Sequence, residues 1–338
     1  VLSFAATYEL REVNFHLVDF DQSSASHELV QKFQASGYFN LQSSSFDVDD
    51  GIEKIRGNDI RLELVIPQDF SQRLKLGQPA SVQMNIDAVD GTTAGLIQGY
   101  GRSIIQDFSN RVRPKVEDVD LTNQHGINVI PASWYNPNLN YIQYMVPGIL
   151  VVLVSMIGMF LSGMNIVRER EIGTIEQLNV TPIKRYQFIT GKLLPFWIIA
   201  LFELGIGLLI AYYGFEVPFV GSAWLLFGIA GIFLLVVQGL GLFISTVTDT
   251  QQQAMFIAWF LMVVFILMGG LFTPIESMPV WAQELTILNP IAHFIEIMRS
   301  VMLKGAGWVE VQHLVGLLAV MAGVILPAAI FRYRKSTS

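Results

Sequence analysis

The stretch VPGILVVLVSMIGMFLSGMNIV, Val146 to Val167, carries no charge over its 22 residues. A helix needs about 20 apolar residues to cross the hydrocarbon core of a bilayer, and only helices or closed barrels satisfy their backbone groups there. Because the stretch lacks the alternation of a strand, it predicts a transmembrane helix. The composition agrees, since only 14% of the 338 residues are charged, against roughly 25% in soluble proteins.

Four further stretches are apolar and nearly free of charge, at 193–213, 223–247, 254–275 and 313–331. The chain is therefore predicted to be an α-helical polytopic membrane protein, with a transmembrane domain over residues 141–338. Residues 1–8 are expected to be the end of another transmembrane helix. A cleaved signal peptide is the alternative, because Ala5 and Ala6 suit a cleavage site.

The distribution of lysine and arginine predicts the orientation, since short cytoplasmic loops are rich in both. These residues lie between the first two complete spans and after the last one: Arg168, Arg170, Lys184, Arg185 and Lys192, then Arg332, Arg334 and Lys335. Both places are predicted to be cytoplasmic, which puts residues 9–140 outside. Arg299 and Lys304 disagree with this assignment, because they lie in an outer connection.

Residues 9–140 are predicted to form an extracytoplasmic α/β domain. The segment has 18 acidic and 11 basic residues, and an acidic surface argues against nucleic acid as a partner. No cysteine is present, so the domain needs its own apolar core. FHLVDFD, RLELVIP, ASVQMNID and INVIPASW read as strands, and SHELVQKFQAS, VDDGIEKIR and TAGLIQGYGRSIIQDF as helices.

The sequence contains no pattern that predicts catalysis by the chain itself. The phosphate-binding pattern G-x-x-x-x-G-K-[ST] and the G-x-S-x-G elbow of serine hydrolases are both absent. His293 and Glu296 could share a helical face as a metal pair in a membrane enzyme, but no third ligand is near in sequence. Packing or a hydrogen bond explains them better, and neither catalytic nor metal-binding residues are assigned.

The charged segment after residue 167 predicts a short amphipathic helix over residues 171–180. Its apolar residues Ile172, Ile175 and Leu178 recur every three positions. Thr181 suits an N-cap and Pro182 the first position of the next helix. The residues leave two interpretations open: a helix that rests on lipid headgroups, or an element that docks on a soluble partner.

Two stretches carry a resemblance to a known family. REREIGTIEQLNVTPIKRYQFITGKLLPF, residues 168–196, resembles the coupling segment after the second transmembrane helix of ABC-2 type transporter permeases. GGLFTPIESMPVWAQELTILNPIAHFIEIMRSVMLKGAG, residues 269–307, resembles the outer ending of the same family, with Pro274, Pro279, Asn289 and Pro290. DFDQSSASHELVQKFQASGYF and STVTDTQQQAM are weaker matches. Under this resemblance, most of the first helix and any cytoplasmic helix before it are expected to lie ahead of residue 1.

The resemblance implies a permease with six transmembrane helices in the full chain and no ATP site of its own. Two permease subunits, alike or different, would work with two ABC ATPase subunits that hold ATP and magnesium. The segment that docks on the ATPase would comprise Arg168, Glu169, Arg170, Glu171, Ile172, Gly173, Thr174, Ile175, Glu176, Leu178 and Pro182. Residues 274–307 are expected to form an outer re-entrant cap. A periplasmic adaptor is a further candidate partner, and the expected location is the bacterial inner membrane.

The large insertion at residues 9–140 resembles the drug-exporting branch, which implies an amphipathic or drug-like substrate. A permease for a lipid-linked glycan or another lipid is the alternative, followed by a polytopic sensor or scaffold. Glu203 and Gln238 lie deep in predicted spans, where polar side chains usually face a partner or a pathway. They are candidate pathway residues, with hydrogen bonding between helices as the alternative.

Overall fold

The computed structural model describes residues 13–112, 127–137, 140–173, 185–275 and 278–332. The chain divides into two compact units, and the boundary between them along the sequence lies between Tyr144 and Met145. Each unit has its own secondary structure: a mixed sheet with helices in the first, and helices alone in the described part of the second.

The N-terminal unit is an α/β domain. Its elements are β1 (Val13–Asp19), α1 (Ser24–Ala35), β2 (Phe39–Ser45), α2 (Val48–Arg56), β3 (Leu62–Ile66), α3 (Phe70–Lys75), β4 (Ala80–Asp87), α4 (Gly91–Val112) and β5 (Ile127–Trp134). The strand order is β2-β1-β3-β4-β5, and only the β3–β4 pair is antiparallel. The four strands and three helices predicted from sequence are confirmed. The prediction missed β2, whose sequence FNLQSSS is mostly polar, and α3, which is too short to show a helical period.

The two faces of this sheet differ in character. One face carries the apolar core, in which Phe33 packs against Phe15 and Phe39 with ring centroids 6.0 and 5.1 Å apart. Burying each such side chain contributes about 1.5–3 kcal/mol, so the domain has a core of its own in a chain without cysteine. The other face is polar and is covered by α2.

The second unit consists of helices in its described part. They are α5 (Tyr141–Glu171), α6 (Arg185–Gly214), α7 (Ala223–Ser245), α8 (Gln251–Leu267), α9 (Val280–Thr286), α10 (Pro290–Lys304) and α11 (Trp308–Arg332). Four helices are long and apolar enough to cross a membrane, at 141–171, 187–214, 223–245 and 308–332, and α8 is a shorter apolar helix. The polytopic helical class is confirmed to this extent, whereas six spans in the full chain remain a prediction.

The predicted span at 254–275 is longer than the helix that the structure contains. The helix α8 ends at Leu267, and Gly270 follows in a left-handed conformation with φ 70°. A positive φ is readily adopted by glycine and interrupts helical geometry. The apolar composition of residues 268–275 therefore reflects burial in a turn and not a continued helix.

Most of α7 is buried, which makes it the central helix of the second unit. One face of α7 packs closely against α5: the backbone nitrogen of Gly163 lies 3.1 Å from where a Cβ on Gly241 would be. At another face, Phe233 of α7 stacks on Phe294 of α10, with ring centroids 4.3 Å apart. By contrast, α6 leaves Phe202 and other apolar side chains exposed, as expected of a helix that lipid or another subunit covers.

Candidate functional site

The end of α5 lies within the segment that the family resemblance assigns to coupling. Arg168 and Glu171 both belong to α5, which continues four residues beyond the predicted span. Gly173 then adopts φ 78°, a conformation that ends helices and favours glycine. Glu171 is therefore the last residue of α5, and a helix between Gly173 and residue 180 stays a prediction. Thr174, Ile175, Glu176, Leu178 and Pro182 lie outside the described residues.

A polar cluster joins the end of α5 to the turn between α7 and α8. We call it the Arg170 rim, consisting of Arg170, Glu171, Thr248, Asp249 and Gln251. Nη1 of Arg170 donates to the carbonyl of Thr248 at 2.8 Å and lies 3.8 Å from Oδ1 of Asp249. Glu171 accepts two hydrogen bonds from Gln251, from its backbone nitrogen at 2.8 Å and its side-chain nitrogen at 2.5 Å. The ends of three helices are thus tied together.

This cluster changes the interpretation of two predicted site residues. The family resemblance implied that Arg170 and Glu171 contact a partner, and the structure adds that both make hydrogen bonds within the chain. Sequence reasoning missed Gln251, although it noted the stretch STVTDTQQQAM. The sequence does show a short polar turn between two apolar helices. A turn of this kind does not reveal which charged residue, distant in sequence, its side chains contact.

A cavity of about 820 Å³ lies between the last turns of α5 and the first turns of α6. Glu169 forms an ion pair with Lys192 in its wall, and Nζ of Lys192 lies 5.9 Å from the ring centroid of Phe188. The other lining residues are Asn165, Gln187, Gly191, Pro195 and Phe196. Charged, amide and aromatic groups together can hold a molecule with a polar end and an apolar body. Sequence reasoning did not identify this cavity, because it depends on the spacing of two helices.

The two candidate pathway residues lie in different helices of the second unit. Glu203 is near the middle of α6, about two turns from Phe196 in the cavity wall. Gln238 is wholly buried in α7, beside Gly158 of α5. Within the described residues, neither Oε2 of Glu203 nor the two amide atoms of Gln238 have a hydrogen-bond partner. These atoms therefore do not support the alternative in which Glu203 and Gln238 serve only as hydrogen-bonding residues between helices.

Unpaired polar groups in a dry interior are costly, by about 1–3 kcal/mol in protein mutational data. A group of this kind persists where function or a further partner compensates for it. Glu203 and Gln238 consequently remain candidates for contact with a substrate or another subunit.

The segment expected to form the outer cap contains two helices, α9 and α10. Pro279 precedes α9, and Asn289 caps α10 with Pro290 at its first position. The Asn289 side chain accepts from the backbone nitrogen of Ile291 at 3.0 Å and donates to the carbonyl of Phe265 at 2.7 Å. These bonds fix α10 against the end of α8. Pro274 lies in the turn before α9.

Two residues that seemed out of place in the sequence have local structural roles. Nη1 of Arg299 donates to the carbonyl of Gly270 at 2.9 Å, which binds α10 to the turn after α8. His293 is buried, with Nε2 2.8 Å from the carbonyl oxygen of Ile287. The described residues contain no group of three or more potential metal ligands. The buried position of His293 and its hydrogen bond to Ile287 are those that the packing interpretation expects.

The described residues include several helices long and apolar enough to cross a membrane, packed around the buried helix α7. These features define a multi-pass membrane protein. Residues 1–331 match the family described as ABC-2 family transporter protein, and the chain belongs to that family. It is 32% identical over 338 residues to the probable multidrug ABC transporter permease YbhR of Escherichia coli K12, covering 98% of this chain and 89% of that protein.

Two other relatives from Escherichia coli K12 extend the comparison. The probable multidrug ABC transporter permease YbhS is 29% identical, with 90% of this chain and 80% of that protein covered. The inner membrane transport permease YhhJ is 25% identical, with 95% and 84% covered. The chain is thus a membrane transport subunit of the ABC class. The family implies ABC ATPase partners and dimeric assembly in general.

Proposed function

We propose that this chain is the permease subunit of an ABC exporter for amphipathic or drug-like molecules. The substrate leaves the cytoplasm or the inner leaflet, driven by ATP hydrolysis in separate subunits that hold ATP and magnesium. The names of YbhR and YbhS, both described as probable multidrug permeases, support this substrate class. The proposal places the chain in the bacterial inner membrane with residues 9–140 outside. A second permease subunit completes the transporter, and a periplasmic adaptor is a candidate partner.

The Arg170 rim is the observation that carries this proposal. The coupling segment proposed to contact the ATPase begins in the last turn of α5 and continues beyond it. Because Arg170 and Glu171 bind the turn between α7 and α8, a displacement of α5 is passed to two further helices. Hydrogen bonds that involve a charged group are short and directional, which suits them to transmit motion.

The cavity between α5 and α6 supports the proposed substrate class. Its mixed wall fits an amphipathic molecule, and the exposed apolar face of α6 would let such a molecule enter from the inner leaflet. Glu203 lies about two turns farther along the same helix. The proposed route therefore runs along α6, from the Glu169–Lys192 pair to Glu203.

The test separates ATP hydrolysis from transport in the complex of this chain with its co-purifying ATPase, reconstituted in proteoliposomes. We expect Glu171→Gln and Gln251→Ala each to reduce efflux of a fluorescent amphipathic cation while ATP hydrolysis continues. The double variant should be little worse than Glu171→Gln alone, since both substitutions weaken the same Glu171–Gln251 contact. Gln252→Ala is the matched control, because the Gln252 side chain is exposed.

Efflux at the parental level in both variants would contradict the role of the rim. Failure of the parent to move any amphipathic probe, together with ATP hydrolysis stimulated only by a lipid or lipid-linked glycan, would replace the proposed substrate class with the lipid alternative.

A further inference from the structure

A row of polar residues crosses the covered face of the sheet in the N-terminal unit. Strand register places Ser43 of β2 beside His16 of β1, His16 beside Glu63 of β3, and Glu63 beside Asn85 of β4. Partners in register lie on the same face of a sheet. His16, Glu63 and Asn85 are wholly or almost wholly buried. Such a row is uncommon in a protein interior, because fully buried ionisable side chains are usually paired.

Glu63 is the member of the row that is incompletely satisfied. Oε2 accepts a hydrogen bond from Nδ2 of Asn85 at 2.6 Å, whereas Oε1 is buried without a hydrogen-bond partner in the described residues. The backbone of α2 lies directly over it, since a Cβ added at Gly51 would collide with Oε1. The helix α2 thus approaches Oε1 of Glu63 closely. The helix α2 is therefore the element that packs directly against the Glu63 carboxyl.

The covering helix α2 is weakly anchored. It has nine residues, of which only Gly51 and Ile55 are buried. A helix of this length depends on packing for its stability, and Ile55 is its single fully buried apolar side chain. Lys54 adds a hydrogen bond to Oγ of Ser43 at 3.2 Å. Segments with so few buried contacts open at a lower free energy than the rest of a domain.

We propose that a proton on Glu63 controls whether α2 lies closed on the sheet: the helix packs over the neutral carboxyl and opens when the carboxyl is ionised. An ionised carboxyl with one unpaired oxygen in a dry site is far costlier than a neutral one. Opening of α2 gives that oxygen access to water. The outer domain thus contains a segment whose conformation follows the pH outside the cell, independently of what the permease transports.

The electrostatics around Glu63 agree with this geometry. The pKa of its carboxyl is raised to about 7, chiefly by burial and in smaller part by the carboxylates of Asp50, Asp47 and Asp49 at the start of α2, against the opposing effect of the Asn85 hydrogen bond. The remaining charged groups of α2 on this side are Lys54 and Arg56. From the strands, Arg61 and Asp87 pair with each other at 2.8 Å.

His16 is the other titratable group of the row, and it acts in the opposite direction. Its ring nitrogens bond to Oγ of Ser43 at 2.7 Å and Oγ of Ser45 at 2.9 Å, and Nε2 lies 3.5 Å from Asp50. Burial lowers the pKa of His16, with Lys54 adding to the shift. Its contribution to closure is present above pH 6.5 and is lost as pH falls. The Glu63 contribution is present below pH 4.5 and is lost as pH rises towards 7.

Because the two groups oppose each other, the test compares the parent with Glu63→Gln, which removes the charge and keeps the shape. Hydrogen exchange of the full chain in detergent is followed in peptides covering α2, after correction for the intrinsic pH dependence of exchange. If opening returns Glu63 to its ordinary pKa, the opening constant of the parent relative to the variant should grow on the order of 70-fold between pH 5 and pH 8.

Three controls make the outcome decisive. Peptides from α1 report the fold of the domain and should show no such change. Glu53→Gln alters an exposed carboxyl on the same helix and should behave as the parent does. Glu63→Met, uncharged and of similar length, replaces Glu63→Gln if the latter disturbs α1. Equal protection of α2 in parent and variant at every pH would overturn the proposal, as would parallel loss of protection in α1 and α2.

Discussion

Replacing Gly241 by alanine should destabilise the helical unit, although alanine favours helices. A Cβ at this position would collide with Oγ of Ser162 and the carbonyl oxygen of Met159, and would lie 3.1 Å from the nitrogen of Gly163. Overpacking of a well-packed site costs about 1–3 kcal/mol. The backbone of α5 supplies two of the three contacts, so a change of side-chain rotamer cannot relieve them. The higher helix propensity of alanine offsets only about 0.5–1 kcal/mol of this cost.

Gly228 provides a matched control in the same helix. It is exposed, and a Cβ there would meet no atom within 4 Å. Gly228→Ala should therefore be neutral or stabilise by about 0.5–1 kcal/mol. A Gly241→Ala, Ser162→Ala double variant should recover part of the loss, because it removes the side-chain collision and leaves the collision with the carbonyl of Met159.

Thermal unfolding of the full chain in detergent, followed by tryptophan fluorescence at one scan rate, measures these differences. We expect Gly241→Ala to melt roughly 4 to 8 °C below Gly228→Ala. Equal melting temperatures would mean that α5 and α7 do not approach as closely as described. The position of the Arg170 rim, which depends on that approach, would then be in doubt as well.

Two further predictions concern orientation and His293. In intact cells with a permeable outer layer, a cysteine at Ser44 should react with a membrane-impermeant thiol reagent and one at Ser336 should not; the reverse pattern would invert the topology. His293→Ala should lower the free energy of unfolding by about 1 kcal/mol through the lost hydrogen bond to Ile287, whereas a chelator should leave the melting temperature of the parent unchanged; destabilisation by the chelator would point to a metal.

The sequence by itself determined the elements of this protein whose signals are local. An uncharged run such as residues 146–167 identifies a helix in a bilayer because length and transfer free energy suffice for the prediction. The alternating pattern of ASVQMNID identifies β4 because one face of the strand must be buried. The family resemblance also lay in contiguous motifs, which require no knowledge of the tertiary structure.

The tertiary structure alone decided which polar groups meet. Glu171 and Gln251 are 80 positions apart, and no local period indicates that they bond to each other. Glu63 lies inside a strand that reads as apolar, and only the register of β1, β3 and β4 together with the packing of α2 shows that its carboxyl is buried. Hydrogen bonds depend on distance and direction in space, whereas hydrophobic periodicity depends on spacing along the chain. The helices could therefore be predicted, and the contacts that connect them could not.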